Sequence, residues 1–183
     1  FYTTPQGVRN RLKLVSGGFE EHCFNGVVRS YDSDGQLQKW TGRAGTWSVT
    51  RDTDPSTGAP RKVIQDPAGR RTTYQYDDFF FKLASITDSG GRQTQFVFDE
   101  FDGSNLLQVT GPELCVTEFT YGTGSDAARI SSWTTPSGIR TTFTYETDTS
   151  GRVRTIQTPD GTRTFTYSGA NSDLAVMDAK GAV

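Results

Sequence analysis

The chain has 183 residues, with 19 Lys and Arg against 21 Asp and Glu, which gives a formal net charge of −2. Because nucleic-acid-binding proteins usually show a basic excess, this balance argues against a nucleic-acid partner. No apolar run approaches the ~20 residues that a membrane-spanning helix needs. The aromatic content of 12%, with 20 Gly and 7 Pro, is typical of β-strands joined by turns. The sequence starts at Phe1 without Met or a signal peptide, so we expect a processed or excised piece.

Residues 1–59 carry irregular copies of a sequence repeat that becomes regular from residue 60 onward. In the first copy, Leu12 and Leu14 take the positions that two aromatic residues hold in later copies. Trp47 stands at another such position in this part of the chain. Residues 52–60 form the stretch that is richest in Pro and Gly, which predicts an exposed, mobile loop.

From residue 60 to 183 the sequence repeat recurs every 22–24 residues, a period that indicates a repeat protein. Each copy has an apolar lead residue, a turn, an alternating strand that ends in an aromatic pair, and a return strand. Return strands hold two apolar residues three apart, the last two being Leu174 and Met177. The aromatic pairs and the lead residues that follow them form the predicted repeat core: Tyr74, Tyr76, Phe96, Phe98, Phe119, Tyr121, Phe143, Tyr145, Phe165 and Tyr167, with Ile86, Val109, Trp133 and Ile156.

Alternation along these strands places the aromatic pairs on one face and polar residues on the other. Burial of about ten such residues contributes on the order of 15–30 kcal/mol gross, against a net domain stability of about 5–15 kcal/mol, so this face needs a cover. No segment shows a sustained helical period. The sequence therefore predicts an all-β fold, with tandem β-hairpins in a twisted, spiralling antiparallel sheet, as a single repeat domain over residues 1–183.

The most regular copy of the sequence repeat runs from Ile64 to Ile86. It reads Ile-x-Asp-Pro-x-Gly-Arg, then Tyr-x-Tyr-Asp, then Leu-x-x-Ile, and it resembles the YD repeat of RHS-type proteins. Tyr76 and Tyr31 are followed by Asp, whereas the other copies lack this dipeptide. The resemblance implies a strip of β-hairpins wound in a spiral. In larger members, such as toxin-complex shells and polymorphic toxins, the strip closes around a toxic domain, and in teneurins it serves adhesion.

The resemblance leads to a functional expectation. We expect a non-catalytic structural module, a fragment or small relative of an RHS/YD-repeat wall that encloses a cargo domain or builds an extracellular assembly. Its partners would be other repeats of the same or a longer chain, and its location secreted or on a bacterial cell surface. The chain holds too few repeats for a closed shell and contains no toxin domain.

Candidate catalytic and metal sites are few. The single histidine, His22, has no further His or Cys at the short spacing that a zinc site requires. No Gly-x-Ser-x-Gly or phosphate-binding Gly-rich motif is present, so we expect neither a catalytic residue nor a cofactor. Cys23 and Cys115 lie far apart in sequence, and we expect two thiols packed as small apolar residues.

Two kinds of loop residue suggest a ligand. Asp99 and Asp102 lie in an acidic loop that could bind calcium or act as paired acids, although Asp and Gly are also what tight turns require. Phe79, Phe80 and Phe81 form a run that alternation cannot bury on one side, and exposed rings can stack on sugars. A carbohydrate-binding, adhesin-like module is therefore the alternative function.

Both ends of the chain carry the same phase of the repeat. Residues 1–8 align with residues 176–183, so a strand near 173–178 is expected to lie at an open sheet edge. Truncation of a longer protein is one explanation. Head-to-tail assembly, in which a second copy continues the strip, is the other.

Overall fold

A computed structural model describes residues 10–79, 81–100, 104–148, 150–168 and 173–177. Phe80 and Asp102, two of the predicted contact residues, lie outside this described part, as do residues 1–8 and 178–183 of the two terminal segments that were aligned in sequence. The chain divides into two compact units, with the boundary between Gln93 and Thr94. The single repeat domain over residues 1–183 stays a prediction.

The described part of the chain contains sixteen antiparallel strands, hydrogen-bonded in sequence order from β1 to β16, and one short 3-10 helix at Gly124–Asp126. This confirms the predicted all-β fold of tandem hairpins. No helix among the described residues is long and apolar enough to cross a membrane. The strands are β1 Arg11–Val15, β2 Gly18–His22, β3 Val28–Asp32, β4 Leu37–Gly42, β5 Gly45–Thr53, β6 Pro60–Gln65, β7 Arg71–Tyr76, β8 Leu83–Thr87, β9 Gln93–Phe98, β10 Leu106–Thr110, β11 Val116–Tyr121, β12 Ile130–Thr134, β13 Arg140–Tyr145, β14 Val153–Thr158, β15 Gly161–Ser168 and β16 Asp173–Met177.

A five-residue turn recurs between strands. The amide of its first residue donates to the carbonyl of its fifth, and the amide of its fourth donates to the carbonyl of its first. The fourth residue has a positive φ, between 59° and 82°, which favours glycine. In the turn that starts at Asp66, the carboxylate also accepts the amides of Ala68 and Arg70. Turns of this kind span residues 23–27, 32–36, 66–70, 88–92, 111–115 and 135–139.

The insertion at residues 52–60 extends a hairpin. β5 and β6 stay paired as far as Thr53 and Pro60, so the connecting loop is shorter than the sequence predicted. The Arg61 guanidinium binds both oxygens of Asp52, at 2.8 and 2.9 Å, directly across this extension. The Asp54 carboxylate then accepts the amides of Ser56 and Thr57 and closes the loop.

The aromatic pairs follow one register. The first member of each pair lies opposite the lead residue of the next repeat. In the last hairpin Val176 takes this place opposite Phe165, so Met177 is not the partner that its spacing predicted. These facing pairs are Tyr74 and Ile86, Phe96 and Val109, Phe119 and Trp133, Phe143 and Ile156, and Phe165 and Val176.

A β-bulge in the return strand accompanies the second member of most pairs. Tyr76 faces Leu83 while Gln75 faces Ser85, so Ala84 is an extra residue in β8. The extra residue explains the spacing of three in Leu-x-x-Ile, because regular strand residues three apart point to opposite faces. Gln38, Leu107, Ser131 and Arg154 are the equivalent extra residues in β4, β10, β12 and β14.

Candidate functional site

The aromatic face, defined here as the sheet face that carries the aromatic pairs and the lead residues, is only half covered. Within each of the two units, the described strands pack against their sequence neighbours, and no helix or second sheet among the described residues covers this face. In the described part the only apolar side chain classed as buried is Val49. Half-buried members are Trp47, Tyr74, Tyr76, Ile86, Phe96, Phe98, Val109, Phe119, Tyr121, Phe143, Tyr145, Ile156, Phe165 and Tyr167.

Three predicted core residues are exposed, which corrects the sequence interpretation at these positions. Leu12 and Leu14 lie on β1, which pairs on one side only among the described strands, and Leu14 is 74% exposed. Trp133 is 39% exposed because its facing residues are Phe119 and the small Thr141, and its ring contacts Phe143 edge-on at 5.3 Å. The aromatic face is therefore covered least at β1 and around Trp133.

Trp47 belongs to a different cluster from the one predicted. It lies directly opposite Trp40, and the two rings stack with centroids 5.3 Å apart and an interplanar angle of 7°. Val49, two residues further on, faces the lead residue Ile64 and so takes the place of a first aromatic. A stacked indole pair thus replaces the regular contact in this hairpin.

The second-position tyrosines make a recurring hydrogen bond. The hydroxyls of Tyr121, Tyr145 and Tyr167 donate to the first carbonyl of the preceding strand, at 2.9, 2.7 and 2.8 Å respectively. Burial raises the pKa of Tyr121 and of Tyr145 above the ordinary phenol value of about 10. These bonds fasten each hairpin to the strand before it.

Arginines at the ends of the longer loops cover two of these rings. The Arg129 guanidinium lies 5.4 Å from the centroid of Tyr145, and that of Arg152 lies 4.6 Å from the centroid of Tyr167. Arg129 also pairs with Asp126 at 2.7 Å. A cation over an aromatic face is attractive, so these arginines cap exposed ring surface.

The opposite face carries hydroxyl groups in place of rings. Ser132 is 2% exposed, and its hydroxyl bonds to Thr120 at 2.7 Å and accepts the Arg140 Nε–H at 3.2 Å. Thr144 and Thr155 bond across the β13–β14 pair at 2.6 Å. The polar face is thus satisfied internally and offers little unpaired hydrogen-bonding capacity around Ser132.

The predicted acidic positions act in turns. The Asp99 carboxylate accepts the amide of Asn105 at 2.8 Å and so closes its loop, whereas Asp102 is outside the described residues. In the five-residue turn at 32–36, the Asp32 carboxylate likewise accepts the amides of Asp34 and Gln36. No group of three or more His, Cys, Asp or Glu in the described part of the chain could hold a metal ion. His22 contacts Glu20 at 3.2 Å.

The two cysteines are free thiols. Cys23 is half-buried at the start of a five-residue turn, and Cys115 is exposed at the end of another. The expectation that both are packed as small apolar residues is therefore wrong for Cys115, because it lies in a turn between β10 and β11 and not inside a strand.

A cleft that the sequence did not predict adjoins the aromatic face in the first unit. Its volume is about 480 Å³. Phe81 is 68% exposed and has a positive φ of 54°, and Phe79 is also exposed but does not line the cleft. The lining residues are Arg51, Asp52, Pro60, Arg61, Lys62, Tyr76 and Phe81. The sequence signals near this site were the run of phenylalanines and the Pro- and Gly-rich stretch at residues 52–60.

The architecture described above defines the protein as an all-β hairpin-repeat protein. No family model matches the sequence, and no curated protein matches it either. Among solved structures, a chain in the crystal structure of TcdB2-TccC3-Cdc42 is similar, with 12% sequence identity and a TM-score of 0.34. The similarity covers 87% of this chain and 12% of that chain. At this identity and TM-score it assigns the protein to no family.

Proposed function

We propose that the chain is a non-catalytic structural module, part of a wall of RHS/YD-type β-hairpin repeats. The observation that carries the proposal is the constant register of the aromatic pairs. Phe96 faces Val109, Phe119 faces Trp133, and the same relation holds for the other regular copies. Each hairpin therefore covers its apolar side chains only with help from the next, which is the behaviour of a quasi-one-dimensional repeat array.

The half-covered aromatic face supports an enclosing role. Contiguous apolar surface of this kind usually marks a contact surface for another polypeptide. In a wall, that surface would face an enclosed cargo or a neighbouring layer. We place the module in a secreted or cell-surface protein of bacteria, with other repeats as partners and head-to-tail strand addition as one route to assembly.

The test uses the whole gene product that carries this chain. Cryo-electron microscopy is expected to resolve hairpin strands in a curved wall, and limited proteolysis is expected to spare any segment inside it. Phe143→Ala, which removes a ring from the aromatic face, should make that segment sensitive to protease. An extended particle in which the repeats enclose nothing and join no assembly would overturn the proposal.

The exposed rings favour carbohydrate binding as a second candidate. Phe79, Phe81 and Trp133 are exposed, and aromatic faces stack readily on sugar rings. On a glycan array this function predicts saturable binding that is lost in Trp133→Ala or Phe81→Ala. Phe24→Ala, which removes an exposed ring from a turn, is the matched control. Absence of saturable binding to any glycan would remove this candidate.

A further inference from the structure

The cleft beside Phe81 combines aromatic and cationic groups. Tyr76 and Phe81 supply two rings to it, and Pro60 supplies a rigid apolar wall. A volume of about 480 Å³ lies within the ~300–1,000 Å³ range that is typical of ligand sites. The cleft is built from β5, β6, β7 and the loop that follows β7, so it does not depend on the enclosing role proposed above.

Two of the cations are available to a ligand. Arg51 and Lys62 face each other in the β5–β6 ladder, and Lys62 also faces Tyr74, so all three lie on the aromatic face. Arg51 donates one N–H to the carbonyl of Leu37 at 2.8 Å and keeps its other donors. Within the described residues, the Lys62 ammonium makes neither a hydrogen bond nor an ion pair. This side of the cleft therefore carries two positive charges, neither of them in an ion pair with a described residue. Arg51 also interacts electrostatically with Asp32, which does not line the cleft.

The remaining charges of the cleft cancel. Asp52 accepts two hydrogen bonds from Arg61, at 2.8 and 2.9 Å. These two residues alternate with Arg51 and Lys62 along β5 and β6, so their pair lies toward the opposite face of the sheet. Asp52 is the one carboxylate among the described lining residues, and it is already paired with Arg61. The cleft as a whole thus favours an anion.

Phe81 is held in an unfavourable backbone conformation. Its φ of 54° is disfavoured for a residue with a Cβ, and the ring is 68% exposed, so burial does not compensate for the strain. Strained residues of this kind cluster at ligand-binding sites, where the strain fixes the position of a side chain. Here it sets the ring at the wall of the cleft.

We propose that this cleft binds a peptide segment that carries a carboxylate next to an aromatic or large apolar side chain. The carboxylate lies between Arg51 and Lys62, and the apolar side chain lies between the rings of Tyr76 and Phe81. A peptide fits better than a nucleic acid, because the chain as a whole has a net charge of −2 and lacks the basic excess typical of nucleic-acid-binding proteins.

The test uses the full chain labelled with ¹⁵N and titrated with N-acetyl-L-phenylalanine, followed by NMR. Its uncharged carboxamide is the matched ligand. Saturable shifts are expected around Lys62, Tyr76 and Phe81, with affinity for the acid roughly five- to ten-fold higher than for the amide. Lys62→Gln is expected to remove most of that difference between the acid and the amide.

A second variant separates loss of the site from loss of the fold. Phe81→Gly removes the ring but suits the positive φ, so the thermal midpoint should hold or rise while binding is lost. Phe24→Ala, which removes an exposed ring elsewhere, should bind as the wild type does. Equal affinity for acid and amide, full binding by Phe81→Gly, or binding only to anionic phosphatidylglycerol vesicles would each overturn the inference.

Discussion

Single residues set the geometry of the five-residue turn through their backbone conformation. Five of the six described copies of this turn have glycine at the fourth position, where φ lies between 78° and 82°. Leu114 holds the same position with a φ of 59°, and its side chain is 81% exposed. The turn therefore carries backbone strain at Leu114 that no burial offsets.

Relief of this strain gives the first prediction. Leu114→Gly is expected to raise the free energy of unfolding by about 1 kcal/mol, because the left-handed conformation costs a residue with a Cβ about 1–2 kcal/mol and glycine loses part of the gain through its flexible unfolded state. Urea denaturation measures the change. Gly138→Ala, at the same turn position with open space around it, should lose a similar amount. A destabilised Leu114→Gly protein would contradict this account.

Turn carboxylates predict a pH dependence. The side-chain hydrogen bond from Arg92 and the amides of Arg92 and Gly90 lower the pKa of Asp88 below its ordinary value of about 3.9. A lowered pKa in the folded state contributes stability above the unfolded pKa, and this contribution is lost as pH falls through the folded pKa. The free energy of unfolding should therefore decrease below about pH 4.

Asp88→Asn tests this dependence. The variant should show a flatter decrease of stability with acid than the wild type, measured by urea denaturation between about pH 2 and 6. Asp32→Asn removes the corresponding carboxylate from another copy of the turn, at residues 32–36. It is expected to flatten the decrease of stability in the same way, because hydrogen bonds from Gln36, Gln38 and Asp34 lower the pKa of Asp32. An unchanged slope in both variants would contradict the role of these carboxylates.

At the scale of the strand, the β-bulge decides which side chains share a face. In β10 the extra residue Leu107 lets Leu106 and Val109 face Phe98 and Phe96 together. The pair β15–β16 reaches the same arrangement without a shift, since Val176 faces Phe165 and Leu174 faces Tyr167 in regular register. The bulge is therefore needed only where the apolar residues of the return strand are three apart, as Leu106 and Val109 are.

Deletion of one residue tests this view. Removal of Leu107 should give the regular register of the last hairpin and cost less than about 1 kcal/mol, with cross-strand nuclear Overhauser contacts between Phe96 and Val109 retained. Removal of Val97, on the strand opposite, moves Phe98 to the other face and should cost about 1.5–3 kcal/mol. Equal losses in the two variants would show that the bulge itself is essential.

At the scale of the molecule, stability is distributed along the strand order. Within each compact unit the close packing is between consecutive strands, and the described part has one buried apolar side chain and four buried polar ones, Asp66, Ser85, Ser132 and Thr141. Such an arrangement has no central core. Energetic coupling should therefore be short-ranged, as in other repeat arrays.

Double-mutant cycles within the second unit measure this range. Phe143→Ala and Ile156→Ala remove facing residues on paired strands, so their effects on the free energy of unfolding should differ from additivity by about 0.5–1 kcal/mol. Val109→Ala and Phe165→Ala lie on strands five apart in the order and should be additive within about 0.5 kcal/mol. Strong coupling of the second pair would point to a common core.

Much of the fold could be predicted from the sequence, because alternation and turn chemistry are local properties. The 22–24-residue period placed each strand from β7 to β15, and Pro and Gly marked their turns. The candidate site was less predictable. The cleft joins Arg51 and Lys62 of one hairpin to Tyr76 and Phe81 of the next, and only strand pairing brings these residues together.

The sequence by itself determined which residues alternate, where the chain turns and that the strands are antiparallel neighbours, since these follow from backbone geometry over a few residues. The tertiary structure decided the bulges, the stacking of Trp47 on Trp40, and the extent to which the aromatic face is covered. Coverage depends on what packs over a face. Alternation shows only that a face is apolar, and so it could not predict that Leu14 stays exposed while Val49 is buried.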